Sequence, residues 1–243
     1  MNVRRSADKR WKKRVLRKVA HMNPVELAER HPRLYHVTEP GAWLSIKKNG
    51  LLSTAHLLNL FDIDHEQRII IETKRRSSSV TLEHPLYGHA VINDNLPLNE
   101  QSLAKCLDHH LLPADWLRIL NSRVFFWASE EGLNRLLNAK LNRTRAREVL
   151  IVDTLSLAKT HAERIEICPI NSGSTLRKPA RRGMNTFTPL LDYSFHDWSR
   201  LRGRRDKILE VTVRDHVTDI AEHILDVVLA DEGKMKPGSI YKG

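Results

Sequence analysis

The sequence predicts an α+β domain, and three observations carry that expectation. Four segments dense in β-branched and aromatic residues, 33–38, 123–127, 148–153 and 207–213, are spread widely along the chain. Helically spaced stretches and loops of very different lengths separate them. No internal repeat is present, so the order is that of a single domain, from about residue 32 to residue 229 or 230, in which helices surround one sheet.

The elements can be justified in turn. Trp11, Val15, Leu16 and Val19 recur at helical spacing within a segment crowded with Lys and Arg, which predicts a basic amphipathic helix in an amino-terminal extension, residues 1–31. That face is either solvated surface or a phosphate-binding surface. Asn23-Pro24 with Glu26 sets a cap, a first-turn proline and a capping-box carboxylate for a short helix. Arg33 to Thr38 alternates as a strand; Trp43, Ile46 and Lys47 then define a helix over 42–49 that Gly50 terminates. Ser53 can cap a further helix carrying Leu57, Leu58 and Leu60. Residues 74–79, Lys-Arg-Arg-Ser-Ser-Ser, are expected as a surface loop, with short strands at 80–82 and 90–92 and helices over about 99–108 and 113–120.

Arg123-Val-Phe-Phe-Trp127 is a buried strand, Leu133, Leu136, Leu137 and Leu141 mark a helix, and 148–153 is a second buried strand. Residues 164–168 are expected as a half-exposed strand. Residues 171–198 read as a long loop, and a connection of that length in a compact domain is functional or disordered. Residues 207–213 return to strand alternation, 217–229 are expected to be helical, and 231–243 to form a flexible tail.

Composition narrows the class of protein. With 40 Lys+Arg against 29 Asp+Glu, the 243-residue chain carries a net charge of +11, which favours phosphate-bearing partners such as DNA or RNA. No apolar run approaches the roughly 18–20 residues that a membrane helix needs. Cys106 and Cys168 fit neither a disulfide framework nor paired metal-ligand spacing, and Asp108-His109-His110 offers no second ligand set, so no metal is expected and a reducing, cytoplasmic location fits.

Three ordered motifs carry chemistry. The first is Leu34-Tyr35-His36-Val37-Thr38 followed by Trp43-Leu44-Ser45-Ile46 and Asn49-Gly50-Leu51. His36 and Thr38 are two apart on a strand and project to one face, so an imidazole and a hydroxyl can converge on one ligand; the bland alternative is a satisfied core histidine. The second is Arg123-Val-Phe-Phe-Trp-Ala-Ser129, in which alternation puts Phe125 and Trp127 on one face and Phe126 on the other. The third is Ile208-Leu-Glu210-Val-Thr-Val213, with Glu148 in Arg147-Glu-Val-Leu-Ile-Val152 as a rival carboxylate and Arg204 or Arg205 as possible ion-pair partners of Glu210.

Taken in this order, the motifs resemble those of the ADP-ribosyltransferase superfamily, most closely an uncharacterised bacterial domain family within it, over about residues 34–220. The resemblance implies a split mixed or antiparallel β-sheet core and NAD as substrate without a metal. It implies NAD binding by His36 and Thr38, an aromatic under the nicotinamide supplied by Phe125 where the polymerases of the superfamily carry Tyr, and catalysis by Glu210. Superfamily members place a substrate-recognition loop just before the last motif strand, which makes Asn171, Ser172, Arg181 and Arg182 candidates for substrate binding; ordinary turn chemistry is the alternative. The implied activity is transfer of ADP-ribose to an acceptor, nucleic acid being favoured by the charge. A non-catalytic nucleic-acid-binding module and an RNA 2′-phosphotransferase are the alternatives.

Overall fold

The structure, a computed structural model, describes residues 21–108, 110–202 and 208–236. The expected basic amino-terminal helix lies outside these residues, apart from His21 and Met22. What is described is an α+β fold built on one eight-stranded sheet.

The first helix, α1 (Pro24–Arg30), starts as its sequence demands: Asn23 Oδ1 accepts from Glu26 N at 3.0 Å, and Pro24 sits at the first turn. Met22 and Leu27 are fully buried in the main core beside Leu34 and Val152. The packed unit therefore begins ahead of residue 32. Strand β1 (Arg33–Thr38) leads into α2 (Ala42–Asn49), which ends at Gly50, where φ is +85°. A side chain at Gly50 would be strained there, and its Cβ would lie 2.7 Å from Thr218 Cα. Strand β2 (Leu51–Leu52) and α3 (Thr54–Leu60), capped by Ser53, follow. Helix α4 (His65–Thr73) leads to a separate hairpin of β3 (Val80–His84) and β4 (Gly88–Ile92).

Helices α5 (Glu100–Cys106) and α6 (Pro113–Asn121) precede β5 (Arg123–Trp127). Helix α7 (Glu130–Leu137) then leads to β6 (Arg147–Asp153), and α8 (Thr154–His161) to β7 (Ile165–Cys168). After the long loop come β8 (Thr188–Pro189), α9 (Phe195–Arg202), β9 (Glu210–Arg214), β10 (His216–Val217), β11 (Ile224–Asp231) and β12 (Lys234–Met235).

The sheet order is β12-β11-β6-β1-β5-β9-β7-β8, and every pairing in it is antiparallel, which decides between the mixed and antiparallel alternatives. Its two halves are zipped unevenly. Strand β1 pairs with β6 at six positions and β5 with β9 at five, yet β1 and β5 share a single register pair, Tyr35 with Trp127. The sheet is closed at that pair and parts beyond it.

Three expectations are corrected. Residues 217–229 are not a helix: after a short 3₁₀ turn at Ile220–His223, β11 pairs along the outer edge of β6. Its run Val227-Val228-Leu229 suits a pleated, half-buried strand, and that tertiary pairing overrides the helical spacing. Residues 231–236 are not a tail, since β12 folds back on β11. Strand β7 is buried along its whole length because it lies inside the sheet, between β9 and β8. Among the described residues, no helix is long and apolar enough to cross a membrane.

Candidate functional site

The parting of β1 from β5 creates a cavity of about 420 Å³, within the range typical of small-molecule sites. His36, Thr38, Phe125, Asn171, Ser172 and Glu210 all line it. Strands β1 and β9, which bear His36 and Glu210, are not adjacent; β5 stands between them. Glu210 is the register partner of Trp127, which in turn is the partner of Tyr35, so strict alternation would set His36 on the opposite face from Glu210. Both reach one cavity because the sheet is open at this point.

His36 spans the opening. Its Nδ1 lies 2.8 Å from the carbonyl oxygen of Phe125, in the stretch where the β1–β5 ladder has stopped. A carbonyl can only accept, so Nδ1 carries the proton. Burial pushes the imidazole pKa down, with the Phe125 bond opposing it, so the ring is neutral near pH 7. Nε2 is then left with its lone pair as an acceptor. Thr38, two residues on, is buried at the cavity wall.

The three aromatics of β5 divide their work. Phe126 is fully buried in the main core. Phe125 is half-buried, edge-on to Phe187 at 6.0 Å, and Trp127 packs toward Tyr35 and Leu133, while all three touch the cavity.

Glu210 begins β9 and is almost completely buried. Its Oε1 accepts from Ser172 N at 3.1 Å and its Oε2 from Ser172 Oγ at 2.6 Å. Burial is the larger influence and lifts its pKa to about 7, against the pull of these bonds, Cys168 and Arg182. The possible partners Arg204 and Arg205 lie outside the described residues.

Glu148 is not a rival for the cavity. Its Oε2 accepts from Gly41 N at 3.0 Å and its Oε1 from Trp43 N at 2.6 Å, so a buried carboxylate on β6 caps the amino terminus of α2 from another strand. Gly41 offers no side chain for that purpose, and a carboxylate is favoured at a helix start.

The long loop is bolted down. Arg182, one of the sequence candidates for substrate binding, is buried and does not line the cavity: its Nη1 donates to Ser172 O at 2.9 Å and its Nε to Ala180 O at 3.1 Å. Trp116 Nε1 donates to the same Ser172 carbonyl at 3.3 Å. Arg182 and Trp116 thus hold Ser172, and Ser172 holds Glu210. Arg181 is exposed, 3.9 Å from Asp108, and does not line the cavity either. Of the four loop candidates, Asn171 and Ser172 reach the site.

Two features escaped the sequence patterns. Arg76, expected on a surface loop, lines the cavity with the strand-to-helix segment at Asn93 and Asn95. A His161–Asp219–His223 cluster ties α8 to the turn before β11: His161 Nε2 lies 2.8 Å and His223 Nε2 3.2 Å from the Asp219 carboxylate. Arg164 donates to His161 Nδ1 at 2.7 Å, which puts the His161 proton on Nε2, where it is given to Asp219. Nε2 of that ring therefore has no lone pair for a metal. Asp219 and His223 are four positions apart, but His161 lies 58 positions before Asp219, and no short spacing brings it to them.

Comparison with known proteins adds one result. Residues 32–224 match the model of a family described as a family of unknown function, DUF7002. The chain belongs to that family. No curated protein matches it. The match covers β1 through the start of β11, so it includes all three motif strands and leaves the β11–β12 edge largely outside.

Two outcomes follow for the carboxylates. Glu148→Ala leaves two helix N–H groups without their acceptor and is expected to cost roughly 2 kcal/mol or more in urea denaturation, with Glu148→Gln recovering part of it. Glu210 behaves in the opposite sense. A folded pKa near 7 against an ordinary 4.5 means the native state holds the proton more tightly, so stability is full below about 4.5 and is lost as pH rises through 7. The loss is on the order of 3 kcal/mol. Glu210→Gln should therefore melt higher than the unmodified protein at pH 8, with the difference vanishing toward pH 4.5; a pH-independent difference contradicts the assignment. Ser172→Ala should move the midpoint above 7.

Proposed function

We propose that the cleft binds NAD and transfers its ADP-ribose to an acceptor, releasing nicotinamide. The observation that carries this is the meeting of His36 and Glu210, from strands separated by β5, in one cavity at the split of the sheet. The order of motifs in the sequence supports it, and so does the chemistry at each end of the cavity. A neutral imidazole with Nδ1 held by Phe125 O presents an acceptor, which suits a ribose hydroxyl. Thr38 adds a hydroxyl at the same wall, and Phe125 offers a ring face for a flat heteroaromatic group.

Breaking the bond between the ribose C1′ and the nicotinamide nitrogen sends the electron pair to the leaving nicotinamide and builds positive charge on the ribose. A carboxylate at Glu210 opposes that charge in a buried setting, where it acts most strongly. The acceptor then attacks C1′ and surrenders its proton, which the carboxylate can take. Ser172 keeps both oxygens of Glu210 oriented through its amide and hydroxyl. The charge of +11 favours nucleic acid as the acceptor, since neutralising phosphates supplies affinity without regard to sequence.

The test is release of nicotinamide from NAD, with single-stranded DNA, RNA and protein offered as acceptors. Glu210→Gln should lower the rate by about 100-fold or more with little change in NAD affinity. His36→Ala should instead weaken NAD binding. Because the ionised carboxylate is the working form, the rate should rise with pH through about 7. Full activity in Glu210→Gln contradicts the assignment, and nucleic-acid binding by a protein with no affinity for NAD favours a non-catalytic binding module.

A further inference from the structure

We propose that Arg76 anchors a diphosphate in the cleft, so that the ligand class is a nucleoside diphosphate, free or as the ADP half of a dinucleotide. This rests on the transfer activity above only for the identity of the dinucleotide; the anion site itself stands on the charges and hydrogen bonds of the cleft.

Full charges lining the cleft are largely cancelled in pairs. Arg147 is ion-paired with Glu39, Arg123 binds Glu166 through two hydrogen bonds at 2.7 and 3.1 Å, and Asp94 is taken by Arg145 at 2.6 Å. Glu210, at the β9 side of the cavity, is half-protonated near neutral pH. Arg76 has no such partner among the described residues. Its Nε donates to Asn93 O at 3.1 Å, and its Nη1 donates to Ile71 O at 2.7 Å and to the Asn121 side-chain oxygen at 3.2 Å, all three neutral acceptors. Asp94 lies near enough to favour the charged guanidinium electrostatically, but it makes no ion pair with it.

A guanidinium has five N–H donors. Three are used in these bonds, and the two on Nη2 meet no acceptor among the described residues. Burial pushes the Arg76 pKa down to about 10, which leaves the group charged at neutral pH and incompletely solvated. A partly desolvated cation that lines a cavity and keeps free donors is stabilised by an anion that takes those donors. The three fixed bonds also hold the guanidinium plane in place before any ligand arrives, which lowers the entropic cost of binding. Asn95 fixes the backbone of the same residue: its side-chain oxygen accepts from Arg76 N at 2.5 Å, and its own amide donates to Arg76 O at 3.1 Å. A diphosphate suits the site better than a nucleic-acid backbone, because it concentrates charge at one point of a cavity of limited volume.

The experiment is calorimetric titration of the full chain with ADP, inorganic pyrophosphate, adenosine and a short single-stranded oligonucleotide. ADP and pyrophosphate should bind. Arg76→Gln should weaken ADP by roughly 10- to 100-fold, the range for losing a hydrogen bond to a charged group, while leaving adenosine unchanged; Arg76→Lys should fall between. Arg76 also ties three segments together, so the same question is put to the unmodified protein, which needs no variant to fold: the guanidinium ¹⁵N resonances of Arg76 should shift on saturation with ADP. Resonances that do not move, ADP binding no tighter than adenosine, or a folded Arg76→Gln with undiminished ADP affinity overturns the proposal. So does an oligonucleotide affinity that depends on Arg76 while ADP affinity does not. ADP binding that depends on Arg76, without nicotinamide release from NAD, keeps the anion site and removes the transfer activity; normal release with an unchanged KM for NAD in Arg76→Gln removes the anchor and keeps the transfer.

Discussion

A single hydrogen bond, from His36 Nδ1 to the carbonyl oxygen of Phe125, marks where the sheet stops being continuous. On either side of the opening, the strands are paired along their length, β1 to β6 and β5 to β9, so each half is a continuous ladder. Between the halves only Tyr35 and Trp127 pair. An antiparallel ladder that ends mid-sheet leaves backbone groups without partners, and an unsatisfied buried carbonyl costs on the order of 1–3 kcal/mol. The His36 ring satisfies one of them from the side-chain direction. That single contact fixes the tautomer of the neutral ring and leaves Nε2 as an acceptor in a residue that lines the cavity.

The opposite wall depends on a second chain of contacts, which runs from the loop into the sheet. Arg182 and Trp116 converge on the Ser172 carbonyl, and the Ser172 amide and hydroxyl converge on Glu210. A carboxylate this deeply buried would be neutral over most of the physiological range if burial acted alone. The donors of Ser172 and the charge of Arg182 pull it back, so that it titrates near neutrality. A group poised there can serve as a base and as a charge at the same pH, and a more exposed glutamate could not be both buried and tunable.

Much of this arrangement was legible in the sequence because it rests on local rules. Asn23 and Ser53 each cap the helix their spacing announces, and Gly50 ends α2 with a positive φ. The strand at 123–127 and the pairing of His36 with Thr38 follow from period-two alternation. What the sequence left open is what depends on distant partners. Residues 217–229 carry a spacing compatible with a helix, and pairing with the free edge of β6 makes 224–229 part of a strand instead. Glu148 and Glu210 sit in similar apolar strands, and nothing local tells a helix cap from a cavity carboxylate; the amides of Gly41 and Trp43 decide it. Arg182 and Arg76 show the same limit in opposite directions. The first lies in a basic loop and is a buried brace, and the second lies in another basic loop and lines the cavity.

The most direct test of the whole arrangement is the protonation of His36, read by long-range ¹H–¹⁵N correlation from pH 5 to 8 with and without NAD. The geometry requires that the neutral ring carry its proton on Nδ1 and that its pKa lie below the ordinary 6.5, and the proposed NAD site predicts an Nε2 resonance that shifts when NAD is added. A ring that titrates near its ordinary value of 6.5, or one protonated at Nε2 when neutral, would contradict the split-sheet cleft described here; an Nε2 indifferent to NAD would contradict the ligand assigned to it.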